Sequence, residues 1–406
     1  MTEQPLLDFD DALSRLLAAA QSSPEAETLD LLDADGRILA ADVRAPIDVP
    51  GFDNSAMDGY AVYLTDFNAA VQTLPVVQRI AAGETGQPLA PNTAARIFTG
   101  APVPQGCNAV IPQEETRAEG ETVTLLEPAR PAQHIRARGE DIATGSIILA
   151  AGRRLTPQDL ALAASVGLPT LTCHPRLHVG LLCTGDELVA PGQPLPPGGI
   201  YNSNAYSITA LLQRLGCRVT DYGRIADERN ATQTALRRAA EENDVVVTCG
   251  GVSVGEEDHV KAAVNALGEV ALWRIAMKPG KPLAFGTVLD ADFIGLPGNP
   301  VSAFLTFCLL ARPFLLRRMG AEATELFSLT VPAGFTRDRA DKRREFLRAR
   351  LEADGRGQIC AVPHKHQGSA VMSGVCWADG LIDVPAGGTV AAGAPVRYLP
   401  LTALIG

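Results

Sequence analysis

Glycines and carboxylates stand side by side after an apolar run in the middle of the chain. Residues 249–260 read CGGVSVGEEDHV and follow the run VVVT at 245–248. Glycines let a ligand approach the backbone closely, and amides exposed there attract an anion. The carboxylates of Glu256, Glu257 and Asp258 would repel that anion unless a cation lay between them. A phosphoanhydride bridged by a divalent cation such as Mg²⁺ requires both groups of residues together.

Two further segments combine turn residues with polar side chains. One is CTGDELVAPGQPLPPGGIYNSN at 183–204, and the other is LPGNPVSAF at 296–304, which leads into a helix whose first amides suit an anion. If all three segments follow parallel strands, they meet at one edge of a sheet, where ligands bind. The candidate substrate-binding residues in these segments are Thr184, Gly185, Asp186, Asn202, Ser203, Gly250, Gly251, Ser253, Gly255, Pro297, Gly298, Asn299, Pro300 and Ser302.

Three carboxylates in these segments are the candidate metal ligands, namely Asp186, Glu187 and Asp258. Oxygen donors at the ends of strands suit Mg²⁺. Each carboxylate taken alone is better explained as a helix cap, and Asp258 stands directly before the helical pattern HVKAAVNAL. Only the convergence of three segments favours a metal site.

A basic segment, WRIAMKPGKPLAFG at 273–286, suits a small oxyanion. It contains Arg274, Lys278 and Lys281, with the two lysines on either side of a Pro-Gly turn. This spacing predicts a compact positive pocket near the end of a strand. A surface hairpin with solvated lysines is the alternative.

A second basic segment, DKRREFLRARL at 341–351, has the alternation of a strand. That alternation places Arg344 and Arg348 on one face. Together with the hydroxyl of Ser369 downstream, they form a candidate site for a tetrahedral oxyanion. An ordinary charged edge strand is the alternative.

The whole chain has the composition of a multidomain globular protein. It has 406 residues, 46% of them hydrophobic, and a formal net charge of −11. The length predicts two to four domains, and the acidic balance argues against general binding to nucleic acid or anionic membranes. Eight scattered cysteines and an acidic N-terminus favour a cytoplasmic location. The apolar run 301–310 is followed by Arg312 and Pro313 and is too short to span a bilayer, and a long helix is predicted from Val301.

The pattern of elements predicts four domains. Residues 8–20 predict a helix capped by Asp8 or Asp10, and 156–167 a helix that begins at Thr156. From about residue 177, apolar strands alternate with helices, one of which should begin at Ser203 or Asn204, and this predicts a parallel sheet covered on both faces. The predicted domains are a discontinuous helical linker domain (1–45 plus 146–176), an inserted β domain (46–145), a central doubly wound α/β domain (177–325) and a small C-terminal β domain (326–406).

The order of the motifs resembles one family over essentially the whole chain. PGFDNSAMDGYAV, IFTGAPVP, RGEDI, TGDEL, GGVSVGEEDHV, KPGKP and PGNPVSAF occur in this order, at about these spacings, in MoeA and the gephyrin E-domain. These proteins are the molybdenum insertases of cofactor biosynthesis. The resemblance is weakest in the C-terminal domain. It implies a molybdopterin-binding, MogA-like fold for the central domain and a barrel-like C-terminal domain.

The resemblance also implies a reaction, a cofactor and partners. The reaction is that of a molybdopterin molybdenumtransferase, a transferase that inserts molybdate into adenylylated molybdopterin and releases AMP with the assistance of Mg²⁺. A homodimer is implied, with each active site shared between the central domain of one subunit and the inserted domain of the other. A separate molybdopterin adenylyltransferase is a candidate partner that would supply the substrate.

Carried over motif by motif, the resemblance implies site residues. The implied catalytic residues are Asp58, Thr99, Asp141, Glu187, Asp227, Asp258 and Lys278. In our hypothesis Mg²⁺ is held by Glu187 and Asp258. Molybdate is held by Lys278, Lys281, Arg348 and Ser369, with Arg344 as the alternative to Arg348. Arg274 stands where relatives often have lysine. On residue types alone, the loop 50–62 around Asp58 is either structural or a binding loop.

Three other functions remain as alternatives to the insertase. A molybdopterin adenylyltransferase would consume ATP, but it would leave the flanking domains unexplained. A nucleotide pyrophosphatase on the same central fold is the second alternative, and a non-catalytic scaffold of the gephyrin type is the third. A P-loop ATPase is excluded by motif, because the sequence contains no G-x-x-x-x-G-K-[ST].

Overall fold

The central domain is built on a six-stranded sheet. The structure is a computed structural model that describes residues 6–69, 71–251, 259–280 and 282–405. The strands of this sheet, from one edge to the other, are Arg218–Ile225, His178–Thr184, Val245–Cys249, Ala291–Leu296, Pro282–Val288 and Gly268–Arg274.

The central sheet is parallel over only four of its strands. Pro282–Val288 pairs antiparallel with both of its neighbours, so the prediction of a parallel sheet was wrong at this edge. The physical reason is the length of the connection. Only Leu289 and Asp290 separate Pro282–Val288 from Ala291–Leu296, and a parallel return would need a crossover of a dozen residues or more.

Helices cover both faces of the central sheet, which confirms the doubly wound prediction. Ser203–Leu215 and Pro300–Arg318 pack on one face, and Arg229–Glu242 and His259–Leu267 pack on the other. Neighbouring residues of one strand enter opposite cores, because side chains alternate across a sheet. With both faces covered, the strand His178–Thr184 is buried at every position after its first.

The long helix predicted from Val301 is present as Pro300–Arg318. It continues through Arg312 and Pro313 by way of a π-helical turn at Phe307–Ala311. Among the described residues it is the one helix long and apolar enough to cross a membrane. However, 89% of its most apolar window is buried inside the protein, where it forms the core beside the sheet.

The segments on either side of the inserted β domain come together in two small antiparallel pairs. Glu27–Asp30 pairs with Thr170–Cys173, and Val43–Arg44 pairs with Ile147–Leu149. The helices of this region are Phe9–Ala19 and Pro157–Ser165, capped by Asp8 and Thr156 as predicted, and the 3₁₀ turn Leu31–Ala34. The predicted domain boundaries remain predictions.

The inserted β domain is a second six-stranded sheet. Its strands in spatial order are Ala109–Pro112, Gly59–Val62, Ala94–Ile97, Gln72–Ile80, Thr122–Leu125 and Thr116–Glu119. The 3₁₀ turn Gln113–Glu115 follows the first of these, and a short pair joins Asn54–Ser55 to Ile135–Arg136. This pair anchors the loop around Asp58 to the rest of the inserted domain.

The C-terminal domain takes one strand from the central part of the chain, since Met277–Lys278 pairs in parallel with the start of Arg344–Ala353. The other strands are Leu329–Pro332, Ile359–Pro363, Gly380–Val384 and Pro395–Pro400, and the short helices are Ser373–Trp377 and Leu401–Ile405. A bridge from Ala333 to Ala361 joins distant parts of this sheet, which gives it the expected barrel-like curvature.

Arg344 ties the first helix to the C-terminal domain. Its guanidinium donates to both carboxylate oxygens of Asp383, at 2.7 and 2.6 Å, and to Asp10 at 2.8 Å. It also lies over the ring of Phe9, 4.8 Å from the centroid. The hydrogen bonds to Asp383 raise the pKa of Arg344. Because the Asp383 side chain is only 2% exposed, its carboxylate depends on such partners.

Arg344→Met is expected to destabilise the C-terminal domain by about 2 kcal/mol, because Asp383 would keep only Arg397 as a charged partner. The measurement is the thermal unfolding midpoint. Arg356→Met, in an exposed turn, is the control and should change stability by less than about 0.5 kcal/mol. Equal effects of the two substitutions would contradict this role for Arg344.

Candidate active site

A cavity of about 790 Å³ opens at the carboxyl ends of the parallel strands. His178–Thr184 and Val245–Cys249 end at this cavity, and Ala291–Leu296 leads into its third wall. Its volume is that of a small-molecule site. The sequence-predicted residues that line it are Thr184, Gly185, Glu187, Asn202, Asp227, Gly250, Gly251, Pro297, Gly298, Asn299, Pro300 and Ser302.

Two glycines allow two of the walls to meet. Gly250 and Gly251 have φ values of +97° and +63°, which favour glycine over residues with a side chain. A Cβ added to Gly250 would lie 2.8 Å from the carbonyl oxygen of Thr184. One added to Gly251 would lie 2.3 Å from Cγ2 of Val260. The glycines are therefore required for contact between the loops themselves, before any ligand is considered.

Two asparagines fix the wall formed by the start of helix Ser203–Leu215. The helix begins at Ser203, one of the two predicted starts, and its N-cap is Asn202, whose Oδ1 accepts from the amide of Ala205 at 3.2 Å. Asn204 Nδ2 donates to the carbonyl of Gly298 at 2.8 Å and joins this wall to the third one. Asn204 was left out of the predicted substrate-binding residues, although it stands in the polar segment 183–204 that was predicted to lie at this edge.

The start of the helix Pro300–Arg318 has a partner within the protein. The amide of Val301 donates to the carbonyl of Ser369 at 3.0 Å, so a protein oxygen already uses one of the amides that were predicted to bind an anion. This contact brings the neighbouring residue Ala370 into the cavity wall. Ser369 itself contacts the helix through its backbone.

The carboxylates at the cavity are those of Glu187 and Asp227. The side chain of Glu187 lies against the backbone of Gly185. A Cβ added to Gly185 would lie 2.7 Å from Oε2 of Glu187. Asp186 does not line the cavity. Its side chain is 72% exposed and its Oδ1 lies 3.8 Å from Nη1 of Arg224.

Within the described ranges, no three His, Cys, Asp or Glu side chains form a metal-binding cluster. The predicted residues Ser253, Gly255, Asp258 and Lys281 lie outside the described residues. Mg²⁺ in phosphate sites commonly takes only one or two protein carboxylates, with substrate oxygens and water completing its shell. The carboxylate oxygens of Glu187 and Asp227 are donors of the type that Mg²⁺ takes in such sites.

Lys278 is ion-paired with the C-terminal domain. Its Nζ lies 2.9 Å from Oε1 of Glu345 and 3.3 Å from Oδ2 of Asp341. Burial opposes the charged form of Asp341, but hydrogen bonds from Arg343 and Lys278 outweigh it and lower the pKa of Asp341 to about 2. The predicted positive pocket is therefore corrected, because Lys278 has two carboxylate partners. Neither Lys278 nor Arg274, at the end of its strand, lines the cavity.

Arg348 is a completely buried guanidinium. It donates to the carbonyls of Gly368 at 3.1 Å and His366 at 2.8 Å, and burial lowers its pKa. Among the described residues no carboxylate pairs with it. Arg348 thus fixes the loop that leads to Ser369 and the cavity rim. Whether Arg348 or Arg344 contacts an oxyanion stays a prediction, as does the role of Ser369.

Asp58 and Thr99 are brought together on the inserted domain. Oδ1 of Asp58 accepts from both the amide and the hydroxyl of Thr99, each at 2.8 Å, and these bonds lower the pKa of Asp58. Asp141 lies on the same domain, where its amide donates to the carbonyl of Val49 at 3.0 Å. Asp58, Thr99 and Asp141 do not line the cavity of their own chain.

The central domain, whose loops form most of this cavity, matches a family model described as "Probable molybdopterin binding domain" over residues 180–317. Two further models match the flanking regions. The MoeA N-terminal region (domain I and II) covers residues 7–167, and the MoeA C-terminal region (domain IV) covers 330–401. The chain belongs to the MoeA family.

Relatives and solved structures agree with this family over the full length. The chain is 41% identical to the molybdopterin molybdenumtransferase of Haemophilus influenzae, over 99% of this chain and 100% of the relative. It is 37% identical to molybdopterin molybdenumtransferase 2 of Mycobacterium tuberculosis, over 96% and 98% of the two chains. A crystal structure of the MoeA protein from Pyrococcus horikoshii has a TM-score of 0.84 at 27% identity and covers 98% of this chain and 100% of its own. The resemblance stated from the motifs is confirmed.

Gly250→Ala is expected to destabilise the central domain by at least about 1 kcal/mol, because the left-handed backbone and the Thr184 carbonyl both oppose a Cβ. The measurement is the thermal unfolding midpoint. Gly298→Ala is the matched control, since its Cβ would have only one neighbour, at 3.8 Å, and should leave that midpoint unchanged. A stable Gly250→Ala variant would show that the loops do not need their close contact.

Proposed function

We propose that this protein inserts molybdate into adenylylated molybdopterin and releases AMP, the reaction of a molybdopterin molybdenumtransferase. The observation that carries the proposal is the combination of glycine turns and two carboxylates at one cavity. It is supported by full-length similarity to relatives that carry this name. The proposed setting is the cytoplasm, with a separate molybdopterin adenylyltransferase as the supplier of the substrate.

The diphosphate of the substrate would lie against the turns at Gly185 and Gly250, where the backbone is accessible from the cavity. Glu187 and Asp227 would hold Mg²⁺ beside it, with Asp258 as a further predicted ligand. Bound Mg²⁺ supplies charge neutralisation for the phosphoanhydride as it breaks. The side chains of Asn202 and Asn204 keep the walls in position, so that these groups are already oriented when the substrate arrives.

Molybdate would bind where the C-terminal domain meets the cavity. Lys278 lies four residues before Pro282, a lining residue, and Ser369 directly precedes Ala370, another one. Arg348 holds the loop before Ser369 by two hydrogen bonds. The carboxylates of Glu345 and Asp341 offset the charge of Lys278, so the oxyanion would have to compete for this lysine.

We also propose a homodimer in which the inserted domain of each subunit completes the cavity of the other. Asp58, Thr99 and Asp141 belong to the motifs that carry the family resemblance, yet none of them lines the cavity of its own chain. Around Asp58, the apolar side chains of Phe52 and Met57 are 49% and 37% exposed. Exposed apolar groups beside a fixed carboxylate support a partner surface at this loop.

Purified protein with adenylylated molybdopterin, Mg²⁺ and molybdate is expected to release AMP. Glu187→Gln should slow this release on the order of 100-fold, because a charge at the proposed Mg²⁺ site is lost. Glu241→Gln, which removes an exposed carboxylate of helix Arg229–Glu242 outside the cavity lining, is the control and should stay near the wild-type rate. Equal rates for Glu187→Gln and wild type would contradict the proposed metal site.

The same assay separates the alternatives. AMP released at the same rate without any oxyanion would identify a pyrophosphatase. ATP consumed to form adenylylated pterin would identify an adenylyltransferase. If the dimer is intact but neither AMP release nor ATP consumption is detected, the remaining alternative is a non-catalytic scaffold.

Subunit sharing is expected to appear as complementation between inactive variants. Mixed dimers of Asp58→Asn and Glu187→Gln would contain one intact site, so a statistical mixture should regain roughly a quarter of the wild-type rate. The control mixture, Glu187→Gln with Asp227→Asn, alters both cavities and should stay inactive. No recovery in the first mixture would mean that each active site lies within a single subunit.

A further inference from the structure

Two cysteines lie side by side on adjacent strands, and one of them, Cys249, lines the cavity. Cys183 and Cys249 are partners in the parallel pairing of His178–Thr184 with Val245–Cys249. Both side chains belong to the same core, so they point to the same face of the sheet. Neighbouring strands lie about 4.8 Å apart, which is inside the Cα separation of roughly 4.4–6.8 Å that a disulfide spans. Both residues are free cysteines in the structure.

The two thiols also shift each other's pKa. Hydrogen bonding with the Cys249 thiol and the Asn202 side chain outweighs burial and lowers the pKa of Cys183. Interaction with Cys183, together with burial, raises the pKa of Cys249. Among the cysteines in the described part of the chain, no other two are partners on adjacent strands.

The cavity gives access to the pair through Cys249. Cys183 and Cys249 are 0% and 2% exposed, but Cys249 belongs to the cavity wall, immediately before Gly250. Cys308, a buried cysteine of the same core, does not line the cavity. A reagent small enough to enter the cavity therefore meets Cys249 first, with Cys183 directly beside it.

We propose that Cys183 and Cys249 form an oxidation site, a dithiol that a peroxide converts to an intramolecular disulfide. This inference goes beyond the proposed transferase activity and does not depend on it. The sulfur of one cysteine takes one oxygen from the peroxide to form a sulfenic acid, and the O–O bond breaks with release of water. The sulfur of the other cysteine then displaces that oxygen as a second water, and the S–S bond forms. Two electrons and two protons pass from the thiols to the peroxide.

The disulfide would change the cavity. It holds its two Cβ atoms about 3.8 Å apart, closer than the spacing of neighbouring strands. Thr184 and Gly250 directly follow the two cysteines, and their backbones are already so close that a Cβ on Gly250 would meet the Thr184 carbonyl at 2.8 Å. The strand ends cannot approach further without moving both loops. Oxidation is therefore coupled to the shape of the site.

The test uses the intact wild-type protein treated with hydrogen peroxide, then denatured and alkylated with N-ethylmaleimide. Peptide mapping without reductant is expected to yield a peptide pair joined through Cys183 and Cys249, lighter than its reduced components by two hydrogen atoms and separated by dithiothreitol. Cys308→Ser, which removes a buried thiol of the same core, is the matched control and should still form the pair. Cys249→Ser should abolish it.

A second measurement does not require a substituted protein. Hydrogen exchange at the amides of Gly185 and Gly251 is expected to change on oxidation of the wild type and to return after dithiothreitol. The proposal is overturned if Cys183 and Cys249 both remain alkylatable after peroxide treatment, or if only the exposed Cys376 is oxidised. It is also overturned if the two cysteines are recovered joined to other cysteines.

Discussion

The cavity exists because three neighbouring strands of the central sheet run in the same direction and end at the same edge. His178–Thr184, Val245–Cys249 and Ala291–Leu296 come from distant parts of the chain, and only parallel pairing brings the loops that follow them together. That convergence requires Gly250 and Gly251, since any side chain there would meet Thr184 or Val260. The caps, the asparagine bonds and the position of Glu187 all follow from this shared edge.

The C-terminal domain is part of the site because it is attached to the central domain at several points. A short strand of the central segment, Met277–Lys278, extends its sheet, and the Ser369 carbonyl accepts from the amide of Val301. Arg344 also connects the N-terminal helix to the C-terminal domain, because it donates a hydrogen bond to Asp10. Each attachment lies close to a predicted oxyanion residue. The geometry of the predicted oxyanion site therefore depends on contacts between domains rather than on one loop.

Local features of the fold could be predicted from the sequence, whereas pairings between distant residues could not. The caps Asp8 and Thr156 and the glycine turns depend on near neighbours and were found. The ion pairs of Lys278 could not be predicted, because they involve residues more than sixty positions away along the chain. The alternation of residues along the strand predicted which face Arg348 is on, but it did not predict that the side chain is completely buried. The antiparallel return at Pro282–Val288 follows from a connection too short for a helix, which strand propensity alone does not reveal.

The π-helical turn at Phe307–Ala311 has a consequence for how one helix serves two layers. A π turn accommodates one extra residue, and one residue of an α-helix corresponds to roughly 100° about its axis. The two halves of Pro300–Arg318 thus present differently oriented faces. The first half packs beside Ser203–Leu215 at the cavity, and the second packs against Phe9–Ala19 of the linker domain. Deleting one residue at this turn would restore regular α-helical hydrogen bonding. It would also rotate one half of the helix away from the helix that this half packs against.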